Sequence, residues 1–314
     1  MSKILLIDVR LWLYQEYHRK NSLLNVLEAL ANIPVHGFKH IFFVYDTGKS
    51  KYHKRVYDKY KENRTELRDK QTDQEKQRYK EFSKQYKDFK EITKYFGRNI
   101  NIPNTEADTM IEVLVDKYKD NFEVYIASSD GDFNCLLAHP NIKQVTTRYD
   151  VLDGHGVYFK KGVSPEQLFW AKCFCGDTKD NVLGIHKLGE VKDQKTGKVF
   201  KKLLEEATTV KDLIDSLQEM VDAGKGGMRL PDYSSQGINH INSVEELFYF
   251  NCELKRPYTS KDLDEEDIEL LKEQVKTQKA SWDEEGFIQK SFEVLGQSIV
   301  VSDNIKQFFN LREA

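Results

Sequence analysis

Cysteine is scarce in this chain, and it is never spaced as a metal or disulfide pair. Cys135, Cys173, Cys175 and Cys252 are the only four, and no C-x-x-C occurs. Cys173 and Cys175 lie in the apolar stretch LFWAKCFCG, so reduced, buried thiols are expected and a zinc site is not. Long hydrophobic runs are also missing. The longest, ILLI and IFFVY, have strand length, which excludes a membrane-spanning helix. The opening MSKILLIDVR enters a strand at once, without a signal-peptide hydrophobic region or transit-peptide character, and a cytoplasmic protein is expected. No internal repeat or low-complexity tract is present, which sets aside repeat and linker architectures.

What the chain does have is charge. Of 314 residues, 32% are charged and 39% hydrophobic, enough for a sizeable core under an ionic surface. The net charge of −3 hides an asymmetry. Lys49 to Lys94 holds 16 Lys/Arg against 9 Asp/Glu, a net +7, so the remainder carries −10. A basic insert on an acidic body points to a polyanionic ligand held by one segment.

Periodicity gives the architecture. KILLIDV, HIFFVYD and FEVYIASSD read as buried strands, with IKQVTTR as a fourth, and helical segments at 22–33, within 50–95 and at 106–119 separate the first three. Buried strands alternating with helices predict an α/β fold with a mainly parallel central sheet and flanking helices. After residue 160 the pattern turns helical. SPEQLFWAKCFCG has an N-cap serine, proline at the first helical position and glycine past its end. Further helices are expected near 198–206, 209–222, 243–252, 262–279 and 282–292, with a long loop at AGKGGMRLPDYSSQGINHIN. The expected division is a core over 1–160 carrying the basic insert and a mostly helical region over 161–314.

Carboxylates gather where such a sheet binds ligands. Asp8, Asp46 and Asp130 each close a predicted strand, at the carboxyl edge of the sheet. SSDGDF adds Asp132, and TEADTMI adds Glu106 and Asp108 at a helix start. GDTKDNVLGIHKLG adds Asp177 and Asp180 at i, i+3, on one face if that stretch is helical. Acidic residues in a first helical turn are also favoured by the helix dipole alone. Jointly, so many carboxylates on one rim require counter-charge. Oxygen-rich sets suit Mg²⁺ or Mn²⁺ rather than zinc. Eight are too many for one ion; two, about 4 Å apart, would hold the attacking and leaving oxygens of a phosphodiester displacement.

The insert at 49–97 interleaves Lys/Arg with aromatics. Phe82, Tyr86 and Phe89 keep helical spacing, and core packing is the plain reading of that stripe. The functional reading is a clamp, with cations on phosphates and rings on unpaired bases. The insert leaves the sheet directly after Asp46, which favours the clamp. The hairpin GIHKLG, bounded by Gly184 and Gly189 and carrying Lys187, is a candidate for close backbone approach to phosphates. The eight histidines show no consistent proximity to these motifs, so no Ser/His/Asp or Cys/His arrangement competes. His53 and His186 are expected as phosphate contacts or surface residues.

Taken in order, LLIDV, VYDTGKSKYHKRVYDKYKENR, TEADTMI, SSDGDF and GDTKDNVLGIHKLG resemble the 5′-nuclease (flap endonuclease) superfamily, and most of all its bacteriophage RNase H/5′-to-3′ exonuclease branch. The likeness runs over about residues 3–190. It implies two Mg²⁺ (or Mn²⁺) bound by Asp8, Asp46, Glu106, Asp108, Asp130, Asp132, Asp177 and Asp180. YKENR stands for the family's YKGNR-like segment at the base of a helical arch, here about 50–96. That implies scissile-phosphate contacts for Lys61 and Arg64, with Tyr60 as a stacking partner and Arg55 as a further nucleic-acid contact. The GDxxDN…G region resembles the helix–hairpin–helix element that grips duplex DNA, which implies DNA contacts for Gly184, Lys187 and Gly189. The sequence departs from the family at Asp108-Thr109, where two adjacent aspartates are usual.

The resemblance implies a structure-specific 5′ nuclease acting on RNA primers or 5′ flaps of duplex DNA in phage replication, and so a monomer in the host cytoplasm. Branched or primed DNA and RNA/DNA hybrid are the implied partners. Two other readings stay open at this level. One is a non-catalytic, metal-dependent factor binding branched DNA; the other is a PIN-like ribonuclease, against which the long insert and helical second half argue. The apolar tail IKQFFNL is read as packing onto the body, with docking to a single-strand-binding protein or sliding clamp as the alternative.

Overall fold

The computed structural model describes residues 1–17, 22–189, 197–234, 237–238 and 241–311. Six strands form one sheet: β1 (Lys3–Asp8), β2 (Phe38–Val44), β3 (Arg98–Ile100), β4 (Glu123–Ala127), β5 (Ile142–Val145) and β6 (Val151–Leu152). Their order is β3-β2-β1-β4-β5-β6; all pairings are parallel except β5 with β6. The four anticipated strands are present. The two unanticipated ones are edge strands of three and two residues, too short for a period-2 signal.

The first half supplies α1 (Val9–Glu16), α2 (Ser22–Ala31), α3 (Lys51–Val56), α4 (Asn63–Asp69), α5 (Asp73–Thr93), α6 (Ala107–Tyr118) and α7 (Gly154–Lys161). The second half supplies α8 (Pro165–Cys175), α9 (Gly197–Glu206), α10 (Val210–Asp222), α11 (Val244–Lys255), α12 (Glu265–Lys276), α13 (Glu284–Leu295) and α14 (Asp303–Phe308). The anticipated start of α8 is a capping box: the Ser164 side chain accepts from Gln167 N–H and the Gln167 side chain returns to the Ser164 N–H, with Pro165 at the first position. In the expected long loop, Lys225–Gly227 makes a 3₁₀ turn. Ser235, Gln236, Asn239 and His240 of that loop lie outside the described residues.

Strand alternation divides β1 between two cores. Leu5 and Ile7 pack under α1, α2 and the α5 residues Phe82 and Phe89, whereas Ile4 and Leu6 pack against Met110, Val113 and Leu114 of α6. A third core joins Phe174, Phe200, Leu213, Leu217 and Leu247 to Tyr57 and Tyr60. The last helices return to the sheet: Leu271 joins the α6 core, and Trp282, Phe287, Ile305, Phe308 and Phe309 join the α1–α2 core. The tail is therefore spent on packing. Phe308, Phe309 and Leu311 are each less than 10% exposed, which leaves IKQFFNL no free apolar face for a docking partner. Among the described residues no helix is long and apolar enough to cross a membrane.

Candidate active site

Parallel pairing brings the strand ends level. Asp8 sits opposite Val44, and Ile7 opposite Ala127, so β1, β2 and β4 discharge their following residues onto one rim. Asp8 ends β1 and also caps α1: its Oδ1 accepts from Leu11 N–H at 3.2 Å and its Oδ2 from the Ser128 hydroxyl at 3.0 Å. Ser128 Oγ accepts in turn from Asp130 N–H at 3.1 Å, which ties the β1 carboxylate to the β4 loop. Asp46 reaches across to α6, where its Oδ1 accepts from Ala107 N–H at 2.8 Å next to Asp108. Asp130 caps the 3₁₀ turn Gly131–Ala138 by accepting from Asp132 N–H at 2.8 Å.

These four carboxylates press on one another. Burial, then Asp46, pushes the Asp8 carboxyl up to about 7. Burial, followed by Asp8, Asp46 and Asp130, holds Asp108 well above the usual carboxylate range. Asp130 is raised by burial and by Asp132. Among the described residues, the one ion pair of these four joins Asp46 to Arg10, at 3.5 Å, with Arg10 45% exposed.

The other four acidic residues carry close cations. Lys61 Nζ bonds both Glu106 oxygens at 2.8 and 2.7 Å. Lys172 Nζ lies 2.8 Å from Asp132 Oδ1; burial favours the neutral acid there, yet Lys172 outweighs it and keeps the pKa low. Asp180 is held against burial at about 2 by Lys61, Lys255 and Arg64. Asp177 caps a 3₁₀ turn, Thr178–Asp180, rather than an α-helix, and pairs with Lys255 at 3.0 Å. Lys172 and Lys255 carry no sequence signal: each is one lysine among many, far along the chain from the carboxylates it meets.

As placed, no three acidic, imidazole or thiol groups among the described residues close on a single ion position. The donor chemistry of Asp8, Asp46, Asp108 and Asp130 fits a hard divalent cation: all oxygen, an excess of negative charge, and carboxyls at Asp8, Asp108 and Asp130 whose raised pKa values a cation would reverse. Thr109 is buried, and its hydroxyl has no hydrogen-bond partner among the described residues.

Several expected nucleic-acid contacts are engaged inside the protein. Arg55 forms a two-pronged pair with Asp264 at 2.8 and 2.7 Å, binding α3 to the start of α12. Tyr60 is 3% exposed and stacks on His53 (4.4 Å, 11°), so its ring is not a platform for a base. His53 is buried rather than a phosphate contact; burial, then Lys61 and Lys255, push its pKa down to about 3 and keep it neutral. His186 is exposed, as expected. Lys61 adopts a left-handed conformation (φ 57°) and donates its N–H to Asp180 O at 2.9 Å. Arg64 bonds Asp180 Oδ1 at 2.7 Å while its side chain is 44% exposed. In the hairpin, a Cβ on Gly184 would lie 2.0 Å from the Cys175 carbonyl carbon, so that glycine serves close chain packing within the protein. Gly189 has φ 78°, and Lys187 is exposed.

Asp8, Asp46, Asp108 and Asp130, with Glu106 beside them, border a cavity of about 860 Å³. Its walls come from α1 (Arg10, Tyr14) and from the insert helices (Lys61, Arg64, Arg68, Tyr79, Tyr86, Lys87, Lys90). The α5 stripe packs as its spacing implied, with Phe82 and Phe89 buried; Tyr86 still reaches the rim, where its hydroxyl accepts from Asp46 N–H at 2.6 Å.

Comparison with known proteins points to the family that the motifs resemble. The chain is 22% identical over 282 residues to the 5′-3′ exonuclease of Bacillus subtilis, covering 83% of this chain and 87% of that protein. It is 27% identical over 216 residues to DNA polymerase I of Streptococcus pneumoniae, 67% of this chain but 21% of that protein, so it spans about a fifth of the polymerase relatives it matches. Among solved structures, the bacteriophage T5 flap endonuclease pseudo-enzyme–product complex with DNA and metal ions has the same fold, with a TM-score of 0.60, 20% identity and coverage of 98% of this chain and 97% of that one. The family model for the 5′-3′ exonuclease N-terminal resolvase-like domain matches residues 3–162. By that match over half of its length, the chain belongs to the 5′-3′ exonuclease family.

Proposed function

We propose that this protein is a divalent-metal-dependent, structure-specific 5′ nuclease that hydrolyses phosphodiesters of RNA primers or 5′ flaps on duplex DNA during phage replication. The observation that carries the reading is the cavity, with an anionic floor (Asp8, Asp46, Asp108, Asp130) under basic and aromatic walls. Such a floor suits a cation and such walls suit a polyanion, and a phosphodiester needs both. Membership of the exonuclease family and a T5 relative solved with DNA and metal ions support it.

Asp8, Asp46, Asp108 and Asp130 would hold Mg²⁺ or Mn²⁺. When bound, the ion supplies Lewis acidity that activates water and neutralises charge on the phosphoryl group. The chain's own residues bind and orient. The Ser128 hydroxyl and Leu11 N–H fix the Asp8 oxygens, and Ala107 N–H fixes Asp46. Lys61, anchored on Glu106, and the half-exposed Arg64 stand on the wall where negative charge grows on the phosphoryl oxygens. Arg68, Lys87 and Lys90 line the approach and draw in the strand's phosphates. The exposed Lys187 on the 184–189 hairpin would meet the duplex away from the cut.

The test is cleavage of a 5′-labelled flap or RNA-primed duplex with Mg²⁺, with EDTA and Asp130→Asn as controls. Short 5′ products from the wild type alone are expected. Tight fork binding without cleavage in Mg²⁺ or Mn²⁺ would replace this reading with that of a non-catalytic branch-binding factor.

A further inference from the structure

The acidic rim has two electrostatically distinct halves. Among the described residues, Asp8, Asp46, Asp108 and Asp130 meet one cation at their edge, the Arg10 guanidinium at 3.5 Å. Glu106, Asp132, Asp177 and Asp180 meet four: Lys61, Lys172, Lys255 and Arg64. Lys61 and Lys255 are the most enclosed of these, and Lys255 bridges Asp177 and Asp180. Its side chain is 7% exposed, and its Nζ lies between two carboxylates, 3.0 Å from Asp177 Oδ2 and 3.2 Å from Asp180 Oδ2.

We propose that Lys255 is the resident cation of this half, standing where a second divalent ion would otherwise bind, so that the protein works with a single metal at Asp8, Asp46, Asp108 and Asp130. The inference rests on the nuclease reading above. Charge is the first argument. Four carboxylates matched by four cations leave no net negative charge to attract an ion, whereas the other half retains an excess. Displacement is the second. A divalent ion at Asp177 and Asp180 would have to expel a buried ammonium and leave it without a partner, which a buried charge does not tolerate.

Anchoring is the third argument. Lys255 ends α11, and one turn earlier Asn251 donates to Cys173 O at 2.7 Å and Leu183 O at 2.9 Å. The helix end is thereby fixed to the segment carrying Asp177 and Asp180. Those carboxylates are also otherwise occupied: Asp180 Oδ1 accepts from Arg64 at 2.7 Å, and Tyr60 OH donates to Oδ2 at 3.1 Å. Lys255 is therefore a positioning residue. It holds the Asp177–Asp180 turn, and through Asp180 the Arg64 and Lys61 cations, in place without a metal.

The test is a Mn²⁺ titration of the full chain, read by the electron paramagnetic resonance of free Mn²⁺. One bound ion per chain is expected for the wild type and for Asp177→Asn, and two for Lys255→Met. Two ions in the wild type, or loss of the ion in Asp177→Asn, overturns the proposal; so does a Lys255→Met protein that melts like the wild type and still binds one. Flap cleavage by a two-ion wild type would leave the nuclease reading standing while this inference fails. No bound ion and no cleavage would remove both.

Discussion

Lowering the pH should attack this protein through one buried imidazole. His53 is 8% exposed, stacked on Tyr60, with Nδ1 2.7 Å from Ser50 Oγ. Burial, then the Lys61 and Lys255 ammoniums, push its pKa from 6.5 to about 3. The folded protein therefore refuses a proton that the unfolded chain accepts below pH 6.5. Between those values the unfolded state binds more protons, so stability falls as the pH falls. Each pH unit is worth ~1.4 kcal/mol, so His53 alone should remove on the order of 2–3 kcal/mol by pH 4.5, and more as the pH approaches 3. The comparison is His53→Phe, which keeps a ring against Tyr60 and takes up no proton. Urea denaturation of both proteins from pH 7 to 4.5 should give converging curves, with the wild type losing on the order of 2–3 kcal/mol more than the variant. Parallel curves, or an imidazole resonance of His53 titrating near 6.5 in the folded protein, would refute the argument. The site is affected as well, because Tyr60 and Lys61 follow His53 on the same short segment and hold Asp180 and Glu106.

Two further outcomes are expected. Asn251→Ala strips the Cys173 carbonyl of its donor, an unsatisfied buried group worth about 1–3 kcal/mol; it should lower the urea midpoint and speed amide exchange at Leu183 and Ile185, and an unchanged midpoint would sink the claim. Burial pushes the Glu112 carboxyl up to about 8, so the folded state holds a proton the unfolded chain has released, and stability is lost as pH rises from 4.5 through 8. Glu112→Gln should flatten that part of a thermal-denaturation series, and a wild-type profile already flat there would contradict the assignment.

The carboxylate floor illustrates a general trade. Asp8 and Asp108 are held in surroundings that favour their neutral forms, and packing elsewhere sustains the strain. Under the proposed function a bound cation would relieve it, so the same strain would add to metal affinity.

The sequence by itself determined the parallel sheet and the rim. Buried strands ending in Asp8, Asp46 and Asp130 are local facts, written in hydrophobic runs of strand length and in the residues that close them. The start of α8 and the packing of Phe82 and Phe89 were equally local, fixed by capping chemistry and helical period. What the sequence could not decide was which charges meet. Eight carboxylates looked alike in the chain, yet among the described residues four have a single ion-pair partner between them, Arg10, and four are matched by Lys61, Arg64, Lys172 and Lys255. Lys255 is 75 residues from Asp180, and only the return of α11 beside α8 brings them together. The same holds for Arg55, spent on Asp264 across 209 residues, and for Tyr60, which found His53 instead of a base. Strand and helix formation are short-range and periodic, so they can be read from the sequence. Ion pairing is long-range and decided by a few ångströms of packing, so only the tertiary structure could assign it.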